Sequence, residues 1–350
     1  MAEPLSLRSV EVHAEGEPGR VITSGMPDLP PGTMLEKMRW LEANADHIRL
    51  QMLREPRGYP ALCCNAIVPS DDPDVDAGFI IMEQTEYPPM SGSNTICVTT
   101  ALLETGIAPM VEPVTELTLE APAGKIRVRA ECADGKVTRV SFTNVPAFVM
   151  HLDAPIDVPG LGTVLVDVAW GGMFFSIADG DELGIEVSAA NGREVARVSE
   201  MIRLATLEQL PVSHPLEPGL TGPTIGQLTA APTVAGATRR NAVTVATGTP
   251  DWDRPDSFTG ALDRCPCGTG TAAQMAVQHA RGQLAVGDAF IHEGPLGTTF
   301  EGRVLEETVV GDYPAIVTEI SGRGWITGHA EWHVDPTDPF PQGYTSADIW

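Results

Sequence analysis

The sequence predicts an α/β (α+β) protein of two similar domains, and three observations carry that prediction. Short apolar or alternating runs bounded by Gly, Pro, Asn and Asp recur along the chain, as strands do, among a few runs with helical spacing. A glycine-rich turn opens a helical run twice, at Ser91-Gly92-Ser93-Asn94-Thr95 and at Cys267-Gly268-Thr269-Gly270-Thr271. At 350 residues the chain is long for one core and comfortable for two.

Taken in order, Leu7–Val12 and Arg20–Thr23 read as strands joined by the turn His13-Ala14-Glu15-Gly16-Glu17-Pro18-Gly19. Residues 33–54 keep helical spacing through Met34, Met38, Leu41, Ile48 and Met52, and Glu55-Pro56-Arg57-Gly58 breaks it. Ala61–Val68 and Ala77–Glu83 read as buried strands, and Thr95–Leu103 as an apolar helix behind the Ser91 turn. Strands follow at Thr118–Ala121, Lys125–Glu131 and Val137–Asn144, the last two joined by the hairpin signal Asp134-Gly135. Val164–Ala169 and Phe174–Ala178 flank Gly171-Gly172, and residues 191–209 are amphipathic and helical. A Pro/Gly/Thr-rich passage, Pro211–Ala237, leads to the strand Ala242–Ala246 and then to the Cys267 turn and its helix. Phe300–Glu306, Ala315–Ile320 and Trp325–Val334 close the chain as strands before a Pro-rich tail.

The two turns belong to an internal repeat. With Ser91 placed on Cys267, Gly92, Ser93 and Thr95 fall on Gly268, Thr269 and Thr271, and the anchors stand 176 residues apart. Fifteen residues beyond each anchor comes a glycine suited to end a helix, Gly106 and Gly282. Further on, the Glu120–Gly124 stretch EAPAG matches the Glu293–Gly297 stretch EGPLG. Three matches in one order point to duplication. The expected domains are 1–163, carrying the Ser91 turn, and 164–350, carrying the Cys267 turn, with the C-terminal tail free to pack back on the first. Their shared cleft is the expected site.

Charge narrows the function. With 47 acidic residues against 22 basic, the net charge of −25 repels nucleic acid and anionic membranes, so neither is an expected partner. No apolar run approaches a membrane span and the first residues lack a signal-peptide pattern, so the expected compartment is the cytoplasm. Six cysteines without a CxxC make neither a disulfide framework nor a structural zinc site. Cys63, Cys64 and Cys97 lie in apolar surroundings and read as buried inert thiols.

Cys267 is different. A helix N-terminus offers unpaired N–H groups and a partial positive charge, so the two turns suit a carboxylate. The same field favours a thiolate at Cys267, making it a candidate base near neutral pH. Asp263, four residues earlier, is placed to meet a substrate ammonium. Carboxylate holder, amine holder and proton-transfer group together describe chemistry at the α-carbon of an amino acid. Rival readings have less behind them. The Gly-Thr-Gly-Thr run lacks the Lys-Ser/Thr of a phosphate loop, and no histidine is tied to Cys267 by a local pattern. His329, Glu331 and His333 alternate on a predicted strand, as a half-exposed face does as readily as a metal site.

These residues resemble the proline racemase family over nearly the whole chain. The resemblance rests on the Val12–Pro18 stretch VHAEGEP, on Glu55-Pro56-Arg57-Gly58, on Asn144-Val145-Pro146-Ala147-Phe148, on the run from Asp263-Arg264-Cys265-Pro266 through Thr271, and on the Ser321–Gly328 stretch SGRGWITG. It implies two pseudo-symmetric domains of the diaminopimelate-epimerase-like fold, each a curved, mostly antiparallel sheet around a central helix. It also implies catalysis without a cofactor or metal, and a possible homodimer. In racemases of the family, one cysteine on each turn exchanges a proton with opposite faces of the α-carbon. Cys267 matches one; Ser91 replaces the other, and Ser93 the usual histidine. Carried over by position, Gly92, Ser93, Gly268 and Thr269 hold the substrate carboxylate, and Asp263 the ring nitrogen.

A serine hydroxyl is a far weaker acid than a thiol, so two-thiol racemisation is not the expected reaction. In trans-3-hydroxy-L-proline the hydroxyl shares a ring face with the α-hydrogen, and one strong acid–base group suffices to remove the proton and expel water. A 4-hydroxyl lies one carbon too far to be expelled. The resemblance therefore implies trans-3-hydroxy-L-proline dehydration, with 2-epimerisation of hydroxyproline as the alternative and an amino-acid-binding protein without catalysis as a third reading.

Overall fold

A computed structural model describes residues 6–346 and 349–350. Residues 1–5 and 347–348, at the outer ends of the expected domains and within the expected tail, lie outside the described residues. The chain divides into two compact units, one running up to Phe142 and resuming at Gly322, the other Thr143–Ser321.

In the first unit, β1 (Ser6–Ala14) and β2 (Glu17–Ser24) pair antiparallel about Glu15-Gly16, both of positive φ. The expected helix over 33–54 forms as two, α1 (Met34–Ala45) and α2 (His47–Leu53). Thr33 and Glu36 close a capping box on α1. Asp46 divides the pair, its carboxylate taken by Arg49 (2.6 and 2.9 Å) and the Tyr87 hydroxyl (2.8 Å). The strand β3 (Cys63–Val68) lies parallel to β2, and β4 (Ala77–Met82) antiparallel to β3. Next comes α3 (Gly92–Glu104), with every residue from Gly92 to Leu103 buried, so it is the centre of its unit rather than an amphipathic surface helix. It packs on β1, β2 and β3. The strand β5 (Val114–Ala121) runs parallel to β4 and antiparallel to β6 (Gly124–Ala133). Asp134 and Gly135, both of positive φ, turn the chain into β7 (Lys136–Thr143).

The second unit repeats the plan. Its strands are β8 (Ala147–Val158), β9 (Gly162–Trp170) and β10 (Phe174–Asp179), then after the helix α4 (Gly192–Gln209) the short pair β11 (Val212–Ser213) and β12 (Thr221–Gly222), and β13 (Ile225–Ala230). They continue through β14 (Arg239–Ala246) and β15 (Gly260–Leu262) to the helix α5 (Gly268–Ala280), β16 (Ala289–Glu293), β17 (Thr299–Val310) and β18 (Tyr313–Gly322). From β9 through β10, β13, β14, β16 and β17 the pairings alternate antiparallel and parallel, in the same order as from β1 to β6. The helix α5 is buried from Gly268 to Val277 and packs on β8, β9, β10 and β17, as α3 does in its own unit. An apolar cluster including Phe148, Trp170, Phe174, Val198 and Ile202 fills the space under α4.

The last strand, β19 (Gly324–His333), returns to the first unit. It pairs antiparallel with β1, from Ala14 against Gly324 to Ser6 against His333. It stands to β1 as β8 stands to β9. The unit limits therefore fall at 142/143 and 321/322, not at a single point after residue 163. The duplication was expected as two consecutive halves, whereas the first unit takes one strand from the end of the chain.

Six strands, β8, β11, β12, β13, β15 and β16, were not read from the sequence. In β8, bulges around His151 and the positive φ of Asp153 break the alternation. All of β13 is buried, yet it lay in the Pro/Gly/Thr-rich passage, to which no element was assigned. Its Gly226 is needed because a Cβ there would stand 2.4 Å from Ser199 Oγ on α4. His329, Glu331 and His333 occupy the exposed face of β19, where Glu331 pairs with Arg8 at 3.9 Å.

Candidate active site

The expected site residues gather in two groups, one in each unit. Ser91, Gly92 and Ser93 form the start of α3; Asp263, Cys267, Gly268 and Thr269 lie at the start of α5.

In the first unit Ser91 is the N-cap of α3, in ordinary extended conformation (φ −149, ψ 123). Its carbonyl accepts from Thr95 N at 3.0 Å and Thr95 Oγ1 at 2.8 Å. Its Oγ accepts from Asn94 Nδ2 at 2.9 Å and, longer, from Asn94 N at 3.5 Å, and stands 3.3 Å from Ser93 Oγ. Asn94 is oriented in turn by Asn65 of β3, whose amide donates to Asn94 Oδ1 at 2.6 Å. That bond fixes which end of the Asn94 amide meets Ser91. Ser91 Oγ is thereby an acceptor from Asn94 and keeps its own proton to donate. Ser91, Ser93 and Asn94 are all buried.

In the second unit Cys267 is the N-cap of α5, with φ +61 and ψ 117. This is backbone that a residue with a Cβ rarely adopts, and such strain persists only where the surroundings hold it. The holding groups are visible. Cys267 N donates to Cys265 Sγ at 3.2 Å, and Cys267 O accepts from Thr271 N at 2.9 Å and Thr271 Oγ1 at 2.7 Å. The thiol Sγ accepts from Gly270 N at 3.4 Å and lies 3.6 Å from Thr269 Oγ1. Pro266 O accepts from Asn241 Nδ2 at 2.9 Å. In both helices the N-cap residue uses the third and fourth N–H groups of the first turn. That leaves Gly92 and Ser93 in α3, and Gly268 and Thr269 in α5, with N–H groups directed out of the helix end.

The electrostatics of Cys267 differ from the sequence expectation. Burial among Phe175, Ile177, Val243 and Ala273, followed by the charge of Asp263, pushes the thiol well above its ordinary pKa. The helix field and the hydrogen bond from Gly270 act the other way and are outweighed, so the free protein holds a thiol at neutral pH. Burial also pushes the Asp263 carboxyl up to about 6, against the lowering effects of Cys267 and Arg264. Cys64 is pushed up to about 12 and Cys97 higher still, both by burial, as fits inert core thiols. All six cysteines are free and buried.

Several supporting residues were not read from the sequence. Asn65 and Asn241 are themselves separated by 176 residues, so the repeat offset that pairs Ser91 with Cys267 would have found both. Gly171 has no such signal. A Cβ on it would stand 2.1 Å from Thr269 O and 2.6 Å from Ala273 N, so only glycine lets the β9–β10 turn approach the first turn of α5.

A carboxyl whose charge acts on a neighbouring thiol, beside an open helix end, is an arrangement able to move a proton. Residues 9–345 match the family model described as proline racemase. A probable proline racemase from Agrobacterium radiobacter K84, solved with bound carbonate, is 37% identical with a TM-score of 0.90, the match covering 98% of each chain. A hydroxyproline epimerase from Agrobacterium vitis, solved with bound trans-4-hydroxy-L-proline, is 33% identical with a TM-score of 0.90, over 99% of this chain and 96% of that one. A phenazine biosynthesis protein from Bacillus anthracis shares the fold alone, at 11% identity and a TM-score of 0.58 over 93% of this chain and 99% of that one. The chain belongs to the proline racemase family. Among the described residues no helix is long and apolar enough to cross a membrane.

Proposed function

We propose that the protein is a cytoplasmic, cofactor-independent hydro-lyase that dehydrates trans-3-hydroxy-L-proline to a pyrroline-2-carboxylate. The observation that carries this reading is the inequality of the two N-caps. Cys267 is a thiol under the influence of the Asp263 carboxyl, whereas Ser91 is a hydroxyl held by an amide. Only Cys267 has the acidity for repeated exchange with a carbon acid near neutral pH.

In this reading Gly268 and Thr269 hold the substrate carboxylate, joined by Gly92 and Ser93, and Asp263 pairs with the ring ammonium. After burial, the Asp263 charge is the largest cause that keeps the thiol protonated. An ammonium paired with Asp263 cancels that charge and eases ionisation of Cys267. The thiolate takes the α-proton; the electrons of that C–H bond form the C2–C3 double bond as the C3–O bond breaks. The proton now on sulfur passes to the departing hydroxyl on the same ring face, so water leaves and the thiolate is restored.

A second reading, 2-epimerisation of hydroxyproline, has its own support. The Agrobacterium vitis relative is a hydroxyproline epimerase, and Ser91 accepts from Asn94 so that its own proton is available to the second face.

Incubation with trans-3- and trans-4-hydroxy-L-proline in deuterated water tests both. Conversion of the 3-hydroxy isomer to a pyrroline product is the expected result. Inversion with α-deuteration and no loss of substrate overturns the lyase in favour of the epimerase. Absence of any exchange overturns both and leaves a binding protein.

A further inference from the structure

Beneath the Cys267 turn lies a histidine that neither reading uses. His292, on β16, is completely buried, and its Nδ1 stands 2.8 Å from Thr271 Oγ1. The Thr271 hydroxyl has one proton, and its shorter carbonyl contact is Cys267 O at 2.7 Å, against 3.4 Å for Pro266 O. Donation from Nδ1–H to Thr271 and from Thr271 to Cys267 satisfies both links at once. The opposite tautomer would deprive the Cys267 carbonyl of the hydroxyl and leave a buried N–H without an acceptor. Burial holds the ring neutral, so it carries a single N–H, and Nε2 has no partner among the described residues.

The first unit supplies a built-in control. Thr95 Oγ1 donates to Ser91 O at 2.8 Å, the same bond at the same helix position. Aligning Glu120 with Glu293 puts Leu119, buried and apolar, where the second unit has His292. The relaxed N-cap, Ser91 at φ −149, thus has the threonine alone. The strained one, Cys267 at φ +61, has threonine backed by a histidine.

We propose that His292 is a positioning residue which, through Thr271, clamps the Cys267 carbonyl and so fixes the direction of the thiol. The proposal rests on Cys267 being the proton-transfer group for its catalytic consequence, though not for its structural one. Leucine at 292 fills similar space and removes the donor, while asparagine places an amide N–H near the position of Nδ1–H.

The experiment compares His292→Leu, His292→Asn, Thr271→Val and the Leu/Val double variant. Each is assayed for α-proton exchange of trans-3- and trans-4-hydroxy-L-proline, and the two His292 variants are also crystallised. His292→Leu is expected to lower kcat at least tenfold with KM within twofold, and to move Cys267 out of its positive-φ conformation. His292→Asn is expected to recover kcat to within about threefold and keep the Cys267 geometry. The double variant is expected to be no slower than the worse single one. An unmoved Cys267 in His292→Leu, no rescue by asparagine, or multiplying losses in the double variant would each overturn the relay. If the wild type shows no exchange at all, the functional reading fails, while the Cys267 geometry in the two crystal structures still decides the relay.

Discussion

Asp263 and Cys267 are each only 8% exposed and act on one another's ionisation, so neither titrates as it would in water. The folded protein holds the Asp263 proton up to about pH 6, whereas an unfolded chain releases it near the ordinary value of 3.8. Between those values the native state binds more protons, so this carboxyl's contribution to stability falls as pH rises and levels off above about 6. Asp263→Asn removes that slope. The variant is expected to gain on the wild type by about 1–3 kcal/mol between pH 4 and pH 7 while losing turnover. Thermal unfolding of both proteins across that range checks it; a difference that does not change with pH would refute the assignment.

Gly171 makes a steric prediction. An alanine there places a methyl group 2.1 Å from the carbonyl of Thr269 and 2.6 Å from Ala273 N, both backbone atoms of α5. The Gly171 carbonyl is also tied to Asn144 Nδ2 at 2.7 Å, so the turn has little room to retreat. Gly171→Ala is expected to cost about 3 kcal/mol or more and to weaken ligand binding by displacing Thr269. Denaturant unfolding and substrate titration measure the two effects separately.

The sequence made much of this site legible because the duplication is written in it. Matching Ser91 to Cys267 located both helix ends, and Gly106 and Gly282 do end α3 and α5 in the left-handed conformation. Long-range pairing was less readable. That β19 completes the first unit depends on its register with β1 some three hundred residues away, which no local pattern encodes. Side-chain protonation was least readable. A helix N-terminus lowers a thiol's pKa and burial raises it, and the balance at Cys267 depends on apolar neighbours drawn from several strands.

Asn94 links stability to function in the first unit. It donates to Ser91 Oγ at 2.9 Å and accepts from Asn65 at 2.6 Å, with only 1% of its surface exposed. Asn94→Ala leaves the Asn65 amide with Arg20 O alone, at 3.3 Å, and frees the Ser91 hydroxyl to rotate. A loss of about 1–3 kcal/mol is expected, with reduced turnover. If the epimerase reading holds, inversion should suffer more than α-proton exchange, because the second face depends on Ser91. Comparing the two rates in deuterated water exposes that asymmetry.

Cys267→Ser and Cys132→Ser form a matched pair of thiol substitutions. Both cysteines are buried, and both carry a neighbouring threonine hydroxyl, Thr269 at 3.6 Å and Thr115 at 3.7 Å. Cys132 also donates to Ala130 O at 3.6 Å, a bond serine reproduces, and nothing in its surroundings resembles Asp263 or a helix N-terminus. Serine at 132 is therefore expected to leave turnover within about twofold, with a stability change of about 1 kcal/mol. Serine at 267 keeps the cap geometry but replaces the thiol by a group too weakly acidic to exchange a proton with carbon near neutral pH. Turnover should drop by about 10²–10⁴, the usual worth of a general acid–base group. Equal activity in the two variants would remove Cys267 from the mechanism.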